Sequence, residues 1–278
     1  MSLTEQQRRF FTSFGFLHLR GQLADEIGWI TEEFEQVWRD GVRSGYDGKG
    51  ELIQAIVPFV DHSERLCTLV DHPRLEPALE CLLGKDYNYL SSDGRPYSGD
   101  TGWHPDGGWS EPQLFLKVAF YLDPLTRTSG ALRVIPGSHR VGDRFSADSR
   151  AANDSVNTYG VPMSEIPSVA LETQPGDVVI FNHNTMHSSF GGGNRRRMFT
   201  MNLGKHADTP AEEERLREYI GIHLSTWADH VYGEIMRATA TPRRMRHMAQ
   251  VMANEGHLPA LREKKLAAAA LARSPVPA

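Results

Sequence analysis

The chain has 278 residues, of which 40% are hydrophobic, 23% charged and 9% aromatic, with a formal net charge of −5; this is a globular composition, long enough to bury a substantial core. The acidic balance, without a basic stripe, excludes a broad nucleic-acid surface, and no apolar run approaches the length of a membrane-spanning helix. The opening MSLTEQQRRFF lacks an apolar leader core, so a cytoplasmic location is expected. Cys67 and Cys81 lie in apolar, helix-like stretches with no CxxC pair, and read as buried reduced thiols.

The elements fall into three zones of one expected domain spanning residues 1–278. The first, to about residue 85, reads as mostly helical. Thr4 and Gln7 form a capping-box pattern, Phe10, Phe11 and Phe14 make an apolar face, and Gly15 is a stop. Ile27, Ile30, Phe34, Val37 and Trp38 recur at helical spacing with Gly41 behind them, Leu66, Leu69 and Val70 repeat the pattern, and a turn after Pro73 carries Ala78, Leu79 and Leu82 to Gly84. The second zone, about 86–204, changes period. In LFLKVAFYL, Leu114, Leu116, Val118, Phe120 and Leu122 alternate with a face holding Lys117 and Tyr121, which is strand periodicity. ALRVI, VALET, VVIF and RMFTMNL are further short strands, separated by Ser129-Gly130, Pro136-Gly137-Ser138 and Pro175-Gly176-Asp177. Many short strands with such turns predict a sandwich or barrel. The third zone returns to helix, with starts at Thr209-Pro210 and Thr241-Pro242 and an Ala-rich terminal stretch.

Chemistry concentrates in the second zone. In Gly102-Trp103-His104-Pro105-Asp106, a histidine and an aspartate two apart share one face of an extended segment and can reach one ion. His187, just after the strand VVIFN, is the best third ligand, with His183 as its rival four residues earlier. Two histidines and one carboxylate leave coordination positions open, as in the facial triad of non-haem iron(II) oxygenases. Arg195, Arg196 and Arg197 open the next strand. One inward-facing arginine suits the far carboxylate of a dicarboxylic co-substrate, because its planar fork donates two parallel hydrogen bonds and keeps its charge. Alone, a His-x-Asp triplet is common, and an arginine triplet is usually a solvated turn; the order of these pieces is what points to a site. His139 reads as structural, Trp103 and Trp109 as packing residues, and Lys117, Gln54, Arg95, Tyr97 and Thr101 as possible pocket residues on position alone.

The run from Gly102 to Leu203, through WHPD, LKVAFYLDP, SGALRVIPGSHR, QPGDVVIFNHNTMH and RRRMFTMNL, resembles the phytanoyl-CoA dioxygenase family of iron(II)- and 2-oxoglutarate-dependent oxygenases. The resemblance implies a mainly β fold with flanking helices, a double-stranded β-helix or jelly roll. It implies His104, Asp106 and His187 as iron ligands, Ser189 at the far carboxylate of 2-oxoglutarate, and an arginine salt-bridging it. Arg196 aligns best for that role, with Arg197 left open by the GGGN insert; neighbours on a strand face opposite ways, so only one of them points at the co-substrate. The implied reaction consumes O₂ and 2-oxoglutarate, yields succinate and CO₂, and hydroxylates an unactivated C–H bond of a small organic molecule. Asp106 separates the chain from halogenating relatives, which give up that carboxylate. Two other classes fit a jelly roll: a cupin-like dioxygenase or isomerase without 2-oxoglutarate, which would tolerate loss of Arg196 and Arg197, and a non-catalytic binding module, which should lack the full set of ligands.

Overall fold

In β4, spanning Phe115–Tyr121, Leu116, Val118 and Phe120 face one way, while Lys117, Ala119 and Tyr121 face the other. That alternation divides the interior in two, and the rest of the chain is arranged about it. The computed structural model describes residues 2–43, 55–97, 99–108, 114–193, 196–224 and 229–273. Its strands, in chain order, are β1 (Phe16–Leu19), β2 (Asn88–Tyr97), β3 (Thr101–His104), β4, β5 (Leu132–Val134), β6 (Val169–Leu171), β7 (Val178–Asn182), β8 (His187–Ser189) and β9 (Arg196–Gly204). They form a five-stranded sheet in the order β1-β7-β4-β9-β2 and a four-stranded sheet in the order β3-β8-β5-β6. All these pairings are antiparallel, and the two sheets make the jelly-roll core.

Three apolar clusters hold the layers. The largest joins the outer face of the five-stranded sheet (Leu116, Val118, Phe120, Ile180, Phe199, Met201) to the helices around it, through Ile30, Phe34, Leu66, Leu79, Leu216 and Ile220. Each such fully buried side chain stabilises the fold by about 1.5–3 kcal/mol before conformational entropy is set against it. The second lies between the sheets, where Ala119, Tyr121, Phe181 and Met198 meet Leu132, Val134 and Leu171. It fills only one end of that space, and the other end is the cavity described below. The third backs the four-stranded sheet, with Trp103, Ile135, Ala152, Ile166, Met186 and Phe190.

The helices agree with the sequence patterns in most places. Thr4 caps Glu5–Phe14 with the full reciprocal box to Gln7, and Gly15 ends it at φ 84°. Thr209 and Glu212 cap each other at the start of Pro210–Leu224, and Thr241 caps Pro242–Arg246. Four expectations differ. The helix Ile27–Arg43 runs through Gly41, whose cost of about 1 kcal/mol is too small to end a helix packed on the core. Only Phe11 of the first aromatic face is buried; Phe10 and Phe14 pack against one another in a tilted arrangement at the surface. The 144–165 segment is not part of the strand succession but a run of short helical turns, started by Asp143 accepting from Ser146 N, that covers Trp103. Cys67 is a buried free thiol as expected, but Cys81 is only partly covered.

Candidate active site

β3 and β8 are neighbours, and their register sets His104 directly opposite His187, with ring centroids 4.3 Å apart. Asp106 lies in the bend that follows β3. Its backbone N–H and that of Gly107 donate to the His183 carbonyl at 2.8 and 2.9 Å, which ties the bend to the end of β7. One ligand atom from each of His104, Asp106 and His187 lies within 4.8 Å of the others, and this is the one such cluster of potential metal ligands among the described residues. His183, the rival from sequence, contributes its backbone carbonyl to that tie; its ring lies about 6 Å from the rings of Phe115 and Tyr219 and is outside the cluster.

The local backbone sets the tautomers. His104 Nδ1 is 2.8 Å from the Gly102 carbonyl, and His187 Nδ1 is 2.9 Å from the Thr185 carbonyl. With Nδ1–H donating there, each Nε2 keeps its lone pair toward the cluster, an outer-shell arrangement typical of metal-ligating histidines. Burial pulls the His187 pKa down to about 4, against the opposing pull of Asp106, so the ring is neutral at neutral pH. For Asp106, burial works against ionisation, but the Lys117 ammonium and then His187 and His183 outweigh it and hold the carboxyl well below the usual range. Lys117 Nζ is 3.0 Å from Asp106 Oδ2, and His187 Nε2 is 3.6 Å from the same oxygen. Two nitrogen donors with free lone pairs and an ionised carboxylate fit a divalent first-row metal with open positions.

The cluster borders a cavity of about 280 Å³ between the sheets. Arg196, Met198 and Thr200 reach it from β9, Lys117, Ala119 and Tyr121 from β4, Asp93 and Arg95 from β2, and Ser188 and Ser189 from β8. Arg196 is 4% exposed and donates from Nη1 to the Gly130 carbonyl. Gly130 has φ 93°, and a Cβ there would meet the Arg196 guanidinium at 2.4 Å, so the turn before β5 requires glycine for both backbone and space. Ser188 and Ser189 bury hydroxyls with no hydrogen-bond partner in the protein. Such groups are costly unless a ligand or water satisfies them.

Arg197 faces away from the cavity. It binds Asp123 through backbone N–H, Nε and Nη2, and Glu35 through Nη1 at 3.0 Å. Strand alternation separates the two arginines: Arg196 lines the cavity and Arg197 does not. Of the position-based guesses, Lys117, Arg95 and Thr101 line the cavity. Trp103 packs behind β3 and donates to the Met163 carbonyl, and His139 bonds the Thr12 carbonyl. For Tyr97 only its ladder pairing with Arg196 is described, and Gln54, Trp109 and Arg195 lie outside the described residues. Asp93, Tyr121, Thr200 and Ser188 went unrecognised as pocket residues. Asp93 had a signal, two positions before Arg95 in an extended stretch, but NYLSSDGRPY carries too many polar, Gly and Pro residues to announce a strand.

The chain matches the phytanoyl-CoA dioxygenase (PhyH) family over residues 11–198. It is similar to 1-deoxypentalenic acid 11-beta-hydroxylase of Streptomyces arenae, at 25% identity across 65% of this chain and 72% of that protein. It is similar to ectoine dioxygenase of Bordetella bronchiseptica, at 26% identity across 68% and 70%. Among solved structures it resembles EctD from S. alaskensis with 2-oxoglutarate and 5-hydroxyectoine, with a TM-score of 0.57 and 22% identity, covering 73% of this chain and 77% of an apo form of that protein or 76% of this complex. With the match spanning most of its length, the chain belongs to the phytanoyl-CoA dioxygenase family and, with it, to the non-haem iron(II), 2-oxoglutarate-dependent dioxygenases.

Proposed function

We propose that His104, Asp106 and His187 hold iron(II), that Arg196 and Ser189 bind the far carboxylate of 2-oxoglutarate, and that the enzyme hydroxylates an unactivated C–H bond of a small organic molecule. The observation that carries this reading is the two-histidine, one-aspartate cluster at a cavity whose opposite sheet presents the buried Arg196. When bound, iron with 2-oxoglutarate supplies the oxidising power, drawing on O₂ and releasing succinate and CO₂.

The protein's part is positional. The two Nδ1–carbonyl bonds keep both imidazoles aimed inward, and the Asp106 and Gly107 amides hold the carboxylate's loop against β7. Arg196 offers a planar, permanently charged fork from β9, and the unsatisfied Ser189 hydroxyl of β8, in the other sheet, borders the same cavity and completes a carboxylate site. The two sheets and the apolar side chains of Leu132, Phe181 and Met198 limit water, which strengthens each of these interactions. A jelly-roll metalloenzyme without 2-oxoglutarate has no use for a buried arginine there, so the cavity favours the co-substrate. Anaerobic titration of Fe(II) and then 2-oxoglutarate, followed by the metal-to-ligand absorption of the chelate, tests the reading. The band is expected in the wild-type protein, and its absence at saturating iron overturns 2-oxoglutarate chelation at this site.

A further inference from the structure

Lys117 brings a positive charge to the place where a metal ion is to be held. It is in the middle of β4, with Phe181 of β7 and Asn202 of β9 as its ladder partners. Its neighbours Leu116 and Val118 are fully buried on the other face of the sheet. Turning Lys117 outward would bring those two into the cavity, so the register holds its side chain inside. The ammonium stands 3.0 Å from Asp106 Oδ2, with the two side chains only 16% and 18% exposed. The same oxygen is 3.6 Å from His187 Nε2, so it is the corner of the cluster that faces the histidine. Oδ2 is buried, and its contact with the ammonium is an ion pair out of hydrogen-bond alignment. An ion held by this oxygen shares it with a cation of the protein.

We propose that Lys117 is a positioning residue of the metal site: its ammonium, sharing Asp106 Oδ2 with the bound ion, sets the site for a divalent ion over a trivalent one and so keeps iron ferrous. The proposal rests on the reading of the cluster as an iron site. Repulsion between ammonium and ion grows in proportion to the ion's charge, so it weighs half as much again on a trivalent ion as on a divalent one. A unit charge a few ångströms away, at an effective dielectric constant of about 20, is worth roughly tenfold to a few hundredfold per unit of ion charge. Burial of both side chains limits screening by salt. The oxygenase reaction starts from the ferrous ion, so a cation here protects the form the enzyme uses. In a purely structural role Lys117 would only compensate the buried carboxylate, and its loss would lower stability without changing the choice of ion.

The test compares wild type, Lys117→Gln and Lys117→Arg, each loaded with iron, in spectroelectrochemical titrations without 2-oxoglutarate. The Fe(III)/Fe(II) ratio at one applied potential is read from the ferric electron paramagnetic resonance signal. It rises roughly tenfold to a few hundredfold in Lys117→Gln, and stays within about threefold of wild type in Lys117→Arg, which keeps the charge. Co(II), read from the visible spectrum, binds Lys117→Gln at least as tightly as wild type. Lys117→Met, whose unbranched stem occupies the same place, repeats the measurement if the glutamine variant does not fold. A ratio within about threefold of wild type in the neutral variant overturns the proposal. An equal rise in Lys117→Arg also overturns it, by making shape rather than charge the cause. So does weaker Co(II) binding by Lys117→Gln, which would make Lys117 a support that the carboxylate needs. Failure of the iron-site reading shows differently, as a wild-type protein that binds no Co(II).

Discussion

Arg196 and Arg197 are adjacent, identical in chemistry and opposite in surroundings, so replacing each by alanine separates co-substrate binding from stability. Arg196 is 4% exposed and faces the cavity. Losing a buried, charged hydrogen-bond partner of a carboxylate costs about 2–5 kcal/mol, or roughly 30-fold to several-thousand-fold in 2-oxoglutarate affinity. Arg197 is on the other face, with Asp123 and Glu35, and all three side chains are about a quarter exposed. Solvent screens that cluster, so Arg197→Ala lowers stability by about 1 kcal/mol and leaves 2-oxoglutarate affinity within about twofold. Anaerobic titration of 2-oxoglutarate into the Fe(II) protein gives the affinity, and urea denaturation gives the stability. Arg197→Ala being the damaging change, with Arg196→Ala silent, would refute the assignment of strand faces. If neither changes affinity, no arginine of β9 binds the co-substrate.

Three other outcomes follow from the geometry. His104→Ala, Asp106→Ala and His187→Ala each abolish tight Co(II) binding, read from the visible spectrum, while circular dichroism remains that of a folded protein; tight Co(II) binding in the His187 variant would return His183 to consideration. Burial raises the Asp61 carboxyl to about 6, above its ordinary value of 3.8, despite hydrogen bonds from Gly233 N–H and Tyr89 O–H. The folded state thus binds the proton more tightly, so wild-type stability relative to Asp61→Asn rises as pH falls from about 7 to 4, by up to about 3 kcal/mol, and a flat difference between their denaturation free energies across that range would contradict the burial argument. Gly94→Ala forces a methyl group into Phe59, which packs against Phe34 and Phe199, and destabilises by about 3 kcal/mol; an unchanged Tm would show that the ring can move aside.

The cluster of His104, Asp106 and His187 was legible in the sequence because its determinants are largely local. Residues two apart on an extended segment share a face, so His104 and Asp106 announced themselves as a pair, and a histidine directly after an apolar strand supplied the third member. The alternation of β4 likewise assigned Lys117 to the polar side before its partner was known. The helix caps at Thr4, Thr209 and Thr241 also follow from short-range hydrogen bonding. What remained hidden depends on which strands meet. β2 is polar and interrupted by Gly94 and Pro96, yet it pairs along nearly its whole length with β9, because the sheet and Phe59 supply what its own composition lacks. Only that pairing brings Asp93 and Arg95 to the cavity. The sequence likewise named two arginines, but the register of β9 against β4 and β2 turned Arg196 inward and left Arg197 with Asp123 and Glu35. Period and capping are properties of a few neighbouring residues and can be read along the chain; strand partners and the cavity between sheets are set by contacts between residues far apart in sequence, and only the folded structure decides them.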